Sequence, residues 1–169
     1  MKGLTLYNIL SYILLPFAAL FGLFSLIGLL MALANPAALL GVFTMSATVI
    51  YIITSFTFLS KGIKQAKPCK ASLKDWIKVN AFVGIAFAAI ILVQSIGLLA
   101  NPQILKESMQ QTMDMAMFKN APPTSFEMML KMMKAILGVI ISFSIVLVVH
   151  ISITFRLLKA YHYVFDKPE

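Results

Sequence analysis

Charged side chains are scarce in this sequence, and acidic ones are the scarcest. Only 12% of its 169 residues are charged and six of them are acidic, whereas a typical soluble domain carries about 25% charged residues. Residues 3–60 and 79–105 contain no charged side chain at all. Because 60% of the residues are hydrophobic and the mean hydropathy is +0.92, the composition indicates a membrane protein.

Several chemical motifs are also missing. The single cysteine, Cys69, excludes an intramolecular disulfide and a multi-cysteine zinc site. The chain has no nucleotide-binding glycine loop, no His-Glu-x-x-His, no Gly-x-Ser-x-Gly and no pair of carboxylates within an apolar run. We therefore expect no enzymatic activity and no cofactor.

The formal charge of +8 comes almost entirely from lysine, which supplies thirteen of the fourteen basic residues. These lysines cluster beside the apolar runs and do not form an arginine-rich stripe with stacking aromatics, which argues against nucleic acid as a partner. Their position instead predicts a role in membrane topology and contact with anionic lipid headgroups.

Four apolar segments are long enough to cross a bilayer. They predict an all-α membrane protein, a four-transmembrane-helix bundle formed by residues 1–169 as one domain. The first segment is much longer than the 7–15 residues of a signal-peptide core, so we expect it to be retained. The predicted spans are 6–34, 36–59, 79–100 and 135–155.

Short sequence matches between the two halves predict two tandem helical hairpins. Leu33-Ala-Asn-Pro36 recurs as Leu99-Ala-Asn-Pro102, and Ile27-Gly-Leu-Leu30 recurs as Ile96-Gly-Leu-Leu99. Each Asn-Pro pair should break the chain between helices, with Asn as the N-cap and Pro at the first helical position.

Residues 61–78, called the basic loop below, join the two halves. Ser72 and Asp75 have the spacing of a capping box for the third helix. By the positive-inside rule, the lysine excess places this loop and both termini in the cytoplasm. The residues expected to contact lipid headgroups are Lys61, Lys64, Lys67, Lys70, Lys74, Lys78 and Trp76.

A methionine-rich segment, residues 102–134, is expected on the outer side. Its first part predicts an amphipathic helix with Leu105, Met109, Met113 and Met117 along one side. Thioethers bind Cu(I), so Met113, Met115 and Met117 form a candidate metal site. The alternative is that these methionines are adaptable apolar residues with good helix propensity.

A polar intramembrane layer is the other candidate site. His150 is the one histidine, acid, lysine or arginine within the predicted spans, and such groups are functional candidates. Other polar residues that should lie at similar depth are Thr54, Ser55, Asn80, Asn8 and Ser11. The layer either joins the helices by hydrogen bonds or takes part in proton transfer or ligand binding.

The layout resembles that of a known family. The four spans, Gly62-Ile-Lys-Gln65 after the second span, and a connection that runs from Asn101-Pro102 through Met-Met-x-x-Met-Met-Lys134 resemble the DUF4199 family of small bacterial membrane proteins, common in Bacteroidetes. The sequence departs from that family at Lys-Pro-Cys-Lys and Trp76, where a glycine-rich stretch is expected. The resemblance implies the four-span architecture and a bacterial inner membrane. The family has no established activity, so no catalytic residue is transferred.

These observations leave three hypotheses about function. The first is a non-enzymatic accessory or scaffold protein that associates with itself or with another membrane protein. The second is a small transporter or channel, because transporters often contain internal repeats. The third is a membrane protein that binds Cu(I) through its methionine-rich segment.

Overall fold

The computed structural model describes the backbone of residues 2–113 and 124–165, and the side chains of residues 3–111 and 126–165. These ranges contain five α-helices and no strand. A π-helical segment, Phe58–Lys64, continues the second helix, and a short 3₁₀ segment, His162–Val164, follows the last. The α-helices are α1 (Lys2–Ala32), α2 (Ala38–Thr57), α3 (Ala71–Ala100), α4 (Pro102–Met113) and α5 (Thr124–Ala160).

Four helical stretches are long and apolar enough to cross a membrane, which confirms the predicted all-α, four-span class. They are Gly3–Ala32, Ala38–Lys64, Ala71–Ala100 and Phe126–Ala160. The third and fourth begin well before residues 79 and 135, where the apolar runs begin. Helical structure therefore continues into the polar flanks of these runs.

The chain divides into two compact units. The first contains residues 2–87 and 146–165, which include α1, α2, the first half of α3 and the last part of α5. The second contains the described residues between 88 and 145, with the rest of α3, α4 and the first part of α5. Each unit is described by itself.

In the first unit, α1 and α2 form an antiparallel hairpin. Tyr12 near the start of α1 packs edge-on against Phe56 near the end of α2, at 5.5 Å between ring centroids. At the other end of the hairpin, a Cβ on Gly28 would lie only 2.7 Å from Val42 Cγ2. Gly28 therefore allows the two helices to approach closely where they meet the connecting turn.

The turn between α1 and α2 follows the predicted Asn-Pro break with one difference. The Asn35 side chain accepts a hydrogen bond from the Ala37 N–H at 3.1 Å, as an N-cap does. Ala38 and Leu39 donate to carbonyls three residues back, so the α-helix itself begins at Ala38. At the second break, Pro102 is the first residue of α4, as predicted.

α1 and α3 share five buried helix positions, 70 residues apart. The sequence Phe17-Ala-Ala-Leu20 also recurs there as Phe87-Ala-Ala-Ile90. This agreement supports a duplicated hairpin, although the tetrapeptide matches noted above imply offsets of 66 and 69 residues. Ala32 of α1 and Asn80 of α3 are buried without such a counterpart. The matching buried positions are Tyr7, Ser11, Leu14, Ala18 and Ser25 in α1, and Ile77, Ala81, Gly84, Ala88 and Ser95 in α3.

The end of the second span differs from the prediction. The sequence places it at residue 59, but helical structure continues to Lys64 in the π-helical segment. Ala66 then adopts a left-handed conformation (φ 50°), and the Lys67 N–H donates to the Lys61 carbonyl at 3.1 Å. This bond spans one residue more than the six-to-one bond of a Schellman C-cap, as fits the wider turn of a π-helix. The left-handed residue Ala66 stands at a position that glycine usually occupies in such caps.

The predicted capping box at the start of the third helix is wrong. α3 begins at Ala71, so Ser72 lies within its first turn and does not cap it. The Leu73 N–H donates to the Lys70 carbonyl at 3.0 Å, which closes the first turn earlier. The Cys69 N–H donates to the Val164 carbonyl at 2.9 Å. This contact with the C-terminal segment holds the chain just before α3, and a sequence pattern does not contain it.

In the second unit, α4 has the predicted amphipathic character over its described part. Leu105 and Met109 are each 2% exposed, whereas Lys106, Glu107 and Gln110 are exposed. The apolar positions recur every four residues, so one side of the helix is buried.

A buried imidazole and hydroxyl cluster

His150 is at the centre of the most developed polar site in the described residues. Its side chain projects from α5 and is fully buried. Ring nitrogen Nε2 lies 2.9 Å from Ser11 Oγ on α1. Nitrogen Nδ1 lies 2.7 Å from the Tyr51 hydroxyl on α2. One side chain of α5 is thus hydrogen-bonded to both helices of the N-terminal hairpin.

Aromatic rings enclose the imidazole on two sides. The Tyr7 ring stacks on it with centroids 4.6 Å apart and an interplanar angle of 16°. The Tyr51 ring meets it edge-on at 5.7 Å and 79°. The Tyr7 hydroxyl also donates to the Ser55 carbonyl of α2 at 3.3 Å. These contacts shield His150 from the surroundings and fix the plane of its ring.

The hydrogen bonds continue to two backbone carbonyls. The Tyr51 hydroxyl lies 2.9 Å from Thr154 Oγ1, and Thr154 donates to the His150 carbonyl at 2.8 Å. On the other side, the Ser11 hydroxyl lies 2.7 Å from the Tyr7 carbonyl, to which it can donate. We call Tyr7, Ser11, Tyr51, His150 and Thr154 the His150 cluster.

A neutral His150 supplies the cluster with one hydrogen fewer than its contacts. The five contacts of 2.7–2.9 Å share four hydrogens, one from each hydroxyl of Ser11, Tyr51 and Thr154 and one from the imidazole. If the ring hydrogen is on Nε2, no hydrogen is left for the contact between Tyr51 and Thr154. If the ring hydrogen is on Nδ1, the single Ser11 hydroxyl hydrogen can serve only one of the two Ser11 contacts.

A protonated imidazole would supply the fifth hydrogen, but the energies favour the neutral ring. An interhelical hydrogen bond within a membrane contributes about 0.6–1.7 kcal/mol. Lysine, arginine and aspartate at the centre of a membrane helix cost about 2.5–3.5 kcal/mol on insertion scales. By the same reasoning we expect a neutral imidazole, for which the cluster has two competing tautomers.

The structure places the predicted polar layer as follows. His150 contacts Ser11, and Ser55 takes part through its backbone carbonyl while its hydroxyl donates to Ile52 of its own helix. Thr54 donates to carbonyls of α2. The Asn80 amide donates to the Trp76 carbonyl of α3 at 2.8 Å. Thr54 and Asn80 are therefore hydrogen-bonded within their own helices.

Three residues of the cluster are not predicted by the sequence. Tyr7 and Tyr51 have the pattern of ordinary aromatic residues in apolar helices, and their contact with His150 depends on how three helices align. Thr154 lies four residues after His150, on the same helix face. That spacing was the one available signal.

The lysines of the basic loop fall into different surroundings. Lys64 lies over the Tyr12 ring at 5.1 Å, and Lys74 lies over the Phe165 ring at 5.8 Å. Lys67 and Lys78 are exposed. Lys61 and Lys70 line a cavity together with Trp76, whose side chain is 55% exposed.

Cys69 lines the same cavity. Burial raises the pKa of its thiol, and the positive charge of Lys61 opposes this rise. The thiol is therefore a weaker nucleophile near neutral pH than an exposed cysteine, because less of it is thiolate.

The candidate Cu(I) site lies outside the described side chains. Met115 and Met117 are beyond the described residues, and so is the side chain of Met113. Among the side chains that are described, no three His, Cys, Asp or Glu residues form a group able to hold a metal ion. The copper hypothesis stays a prediction from sequence.

No protein family, curated protein or solved structure matches the chain.

Proposed function

We propose that this chain is a non-enzymatic integral membrane protein that acts as an accessory or scaffold, by association with itself or with another membrane protein. The observation that supports this proposal is the engagement of His150. Both of its ring nitrogens are hydrogen-bonded to hydroxyls of neighbouring helices, and two tyrosine rings cover it. The one histidine of the four spanning stretches is thus hydrogen-bonded to both helices of the N-terminal hairpin.

The helix surfaces are compatible with such a role. Large apolar side chains on the spanning helices are exposed in the single chain, among them Leu30 (70%), Phe43 (60%) and Val93 (74%). In a bilayer, lipid chains or apolar surfaces of other membrane proteins cover such residues.

The proposal is tested by the mass of the purified protein in nanodiscs and by crosslinking in native membranes. We expect a defined oligomer or a complex with a specific membrane partner. A monodisperse monomer with no crosslinked partner would contradict it.

A second candidate, a small transporter or channel, is favoured by one observation. The matching buried positions of α1 and α3 support a duplicated hairpin, and parallel repeats are found in several transporter folds. Flux into liposomes distinguishes the two candidates. Loss of flux in His150→Ala or Ser11→Ala without loss of thermal stability favours transport, whereas loss of stability alone favours the joining role.

We also propose that the basic loop and both termini face the cytoplasm of a bacterial inner membrane. Two contacts support a common side for these segments: the Cys69 N–H bonds to the Val164 carbonyl, and Lys64 lies over Tyr12 near the start of α1. The lysine excess gives the direction. Reporter fusions at Lys67 and Asn120 should read cytoplasmic and external, respectively, and the reverse result would overturn this threading.

A further inference from the structure

The basic loop contains a preformed cavity of about 320 Å³. Small-molecule sites commonly begin at about 300 Å³, so the cavity is large enough for a small polar group. Its lining combines two lysines, hydroxyl groups and an indole ring. The lining residues are Thr57, Lys61, Pro68, Cys69, Lys70, Ser72, Leu73 and Trp76.

We expect the cavity to lie at the level of the lipid headgroups, because its residues come from the ends of two spanning stretches. Thr57 and Lys61 belong to the end of the second spanning stretch, Ala38–Lys64. Ser72 and Trp76 belong to the start of the third, Ala71–Ala100. Because only residues 65–70 separate these stretches, both ends reach the same membrane surface. Tryptophan is enriched at this depth in membrane proteins.

The walls of the cavity are held by contacts with other parts of the first unit. The bond from the Lys67 N–H to the Lys61 carbonyl closes the helix end, and the Cys69 N–H bonds to the Val164 carbonyl. Phe58 stacks on Phe165 at 5.4 Å between centroids. The segments that carry Lys61 and Lys70 are thus fixed in place, so binding a ligand requires little ordering of the loop.

The charges around the cavity favour an anion. Lys61 and Lys70 are both in its lining, and none of the described residues that line it is acidic. Asp75 lies instead in an adjoining cavity of about 250 Å³, which shares Ser72 and Trp76. A phosphate group is the anion that is most abundant at this depth of a membrane, and lysine binds it as a point charge.

We propose that this cavity binds a phosphate group at the membrane surface, with Lys61 and Lys70 as the cationic ligands and Trp76 beside the bound group. The same chemistry is offered by the headgroup of an anionic phospholipid and by free phosphate. The site differs from general attraction of lysines to an anionic membrane, because two particular lysines carry it. It is independent of the proposed accessory function.

Trp76 is the one tryptophan of the chain, so its fluorescence reports on the cavity directly. The test uses the full-length protein in phosphatidylcholine nanodiscs with increasing fractions of phosphatidylglycerol. Two double variants are compared, Lys61→Gln/Lys70→Gln and Lys67→Gln/Lys78→Gln. Both remove the same charge from exposed positions, and circular dichroism establishes that both keep the helical content of the parent protein.

In the parent protein and in the Lys67/Lys78 variant, we expect a saturable change of Trp76 emission with phosphatidylglycerol. In the Lys61/Lys70 variant, the apparent affinity should fall about tenfold or more. A separate titration adds inorganic phosphate to phosphatidylcholine nanodiscs. If it reproduces the change at millimolar concentration, free phosphate is the ligand; if it does not, the lipid headgroup is. Equal responses of the two double variants, or an unchanged emission in the parent protein, would overturn the proposal.

Discussion

Replacing Tyr51 by Phe tests whether the His150 cluster joins the helices. The substitution keeps the ring that meets His150 edge-on at 5.7 Å and removes only the hydroxyl. Two contacts disappear, at 2.7 Å to His150 Nδ1 and at 2.9 Å to Thr154 Oγ1. The three contacts that remain have three hydrogens between them, so all three can be hydrogen bonds. Compared with the four hydrogen bonds of the parent protein, the variant loses one, and His150 Nδ1 loses its partner.

The size of the effect follows from these two terms. One interhelical hydrogen bond in a membrane contributes about 0.6–1.7 kcal/mol. A buried acceptor without a partner adds a penalty of about 1–3 kcal/mol in proteins, and the lower end applies to a neutral imidazole nitrogen. We therefore expect Tyr51→Phe to lower the free energy of unfolding by about 1–3 kcal/mol.

The measurement is SDS-induced unfolding from mild detergent micelles, followed by circular dichroism. Tyr163→Phe is the matched control, since Tyr163 is 50% exposed, and it should change stability by less than about 0.5 kcal/mol. If Tyr51→Phe and Tyr163→Phe unfold at the same SDS fraction as the parent protein, the cluster does not hold the helices together.

Other positions give independent predictions. Gly28→Ala should destabilise the α1–α2 hairpin by about 1–3 kcal/mol, because the new Cβ would lie 2.7 Å from a methyl group of Val42. Gly22→Ala is the control in the same unfolding assay. It should not destabilise the protein, because nothing lies within 4 Å of the new Cβ. Ala66→Gly should raise the unfolding free energy by about 1 kcal/mol, because φ is 50° there and glycine adopts it without strain; an unchanged or lower value would argue against this cap. Alkylation of Cys69 at pH 8 should be slower than that of an exposed cysteine peptide and should accelerate as pH rises, because burial raises the thiol pKa; equal rates would contradict this.

The sequence was sufficient for the spanning class because burial in lipid requires long uncharged runs, and residues 3–60 and 79–105 provide them. The two Asn-Pro breaks were also predictable, since proline ends a helix and suits the start of the next. Helix ends were less predictable. The start of α3 at Ala71 follows a bond between segments distant in sequence, from the Cys69 N–H to the Val164 carbonyl. The continuation to Lys64 ends in a local bond from Lys67 to Lys61, across a left-handed alanine that sequence does not reveal.

The candidate site was predictable only in part, for a similar reason. His150 stood out because an ionisable group in an apolar span is rare. Its partners Tyr7 and Tyr51 did not, because tyrosine is common in membrane helices and hydrogen bonding between helices depends on their rotation and register. Thr54 and Asn80 show the reverse case: polar residues at the right depth can bond to their own helix.

The tautomer of His150 tests the central claim most directly. In a His162→Gln background, His150 is the one histidine left, since the chain has two, and the nitrogen-15 shifts of its ring report which nitrogen carries hydrogen. In Ser11→Ala, three contacts of the cluster remain, and all three can be hydrogen bonds only if the ring hydrogen is on Nδ1. In Tyr51→Phe, three contacts also remain, and all three can be hydrogen bonds only if the ring hydrogen is on Nε2. We therefore predict a neutral ring with opposite tautomers in the two variants. The same tautomer in both variants, or a protonated ring at neutral pH, would contradict the account.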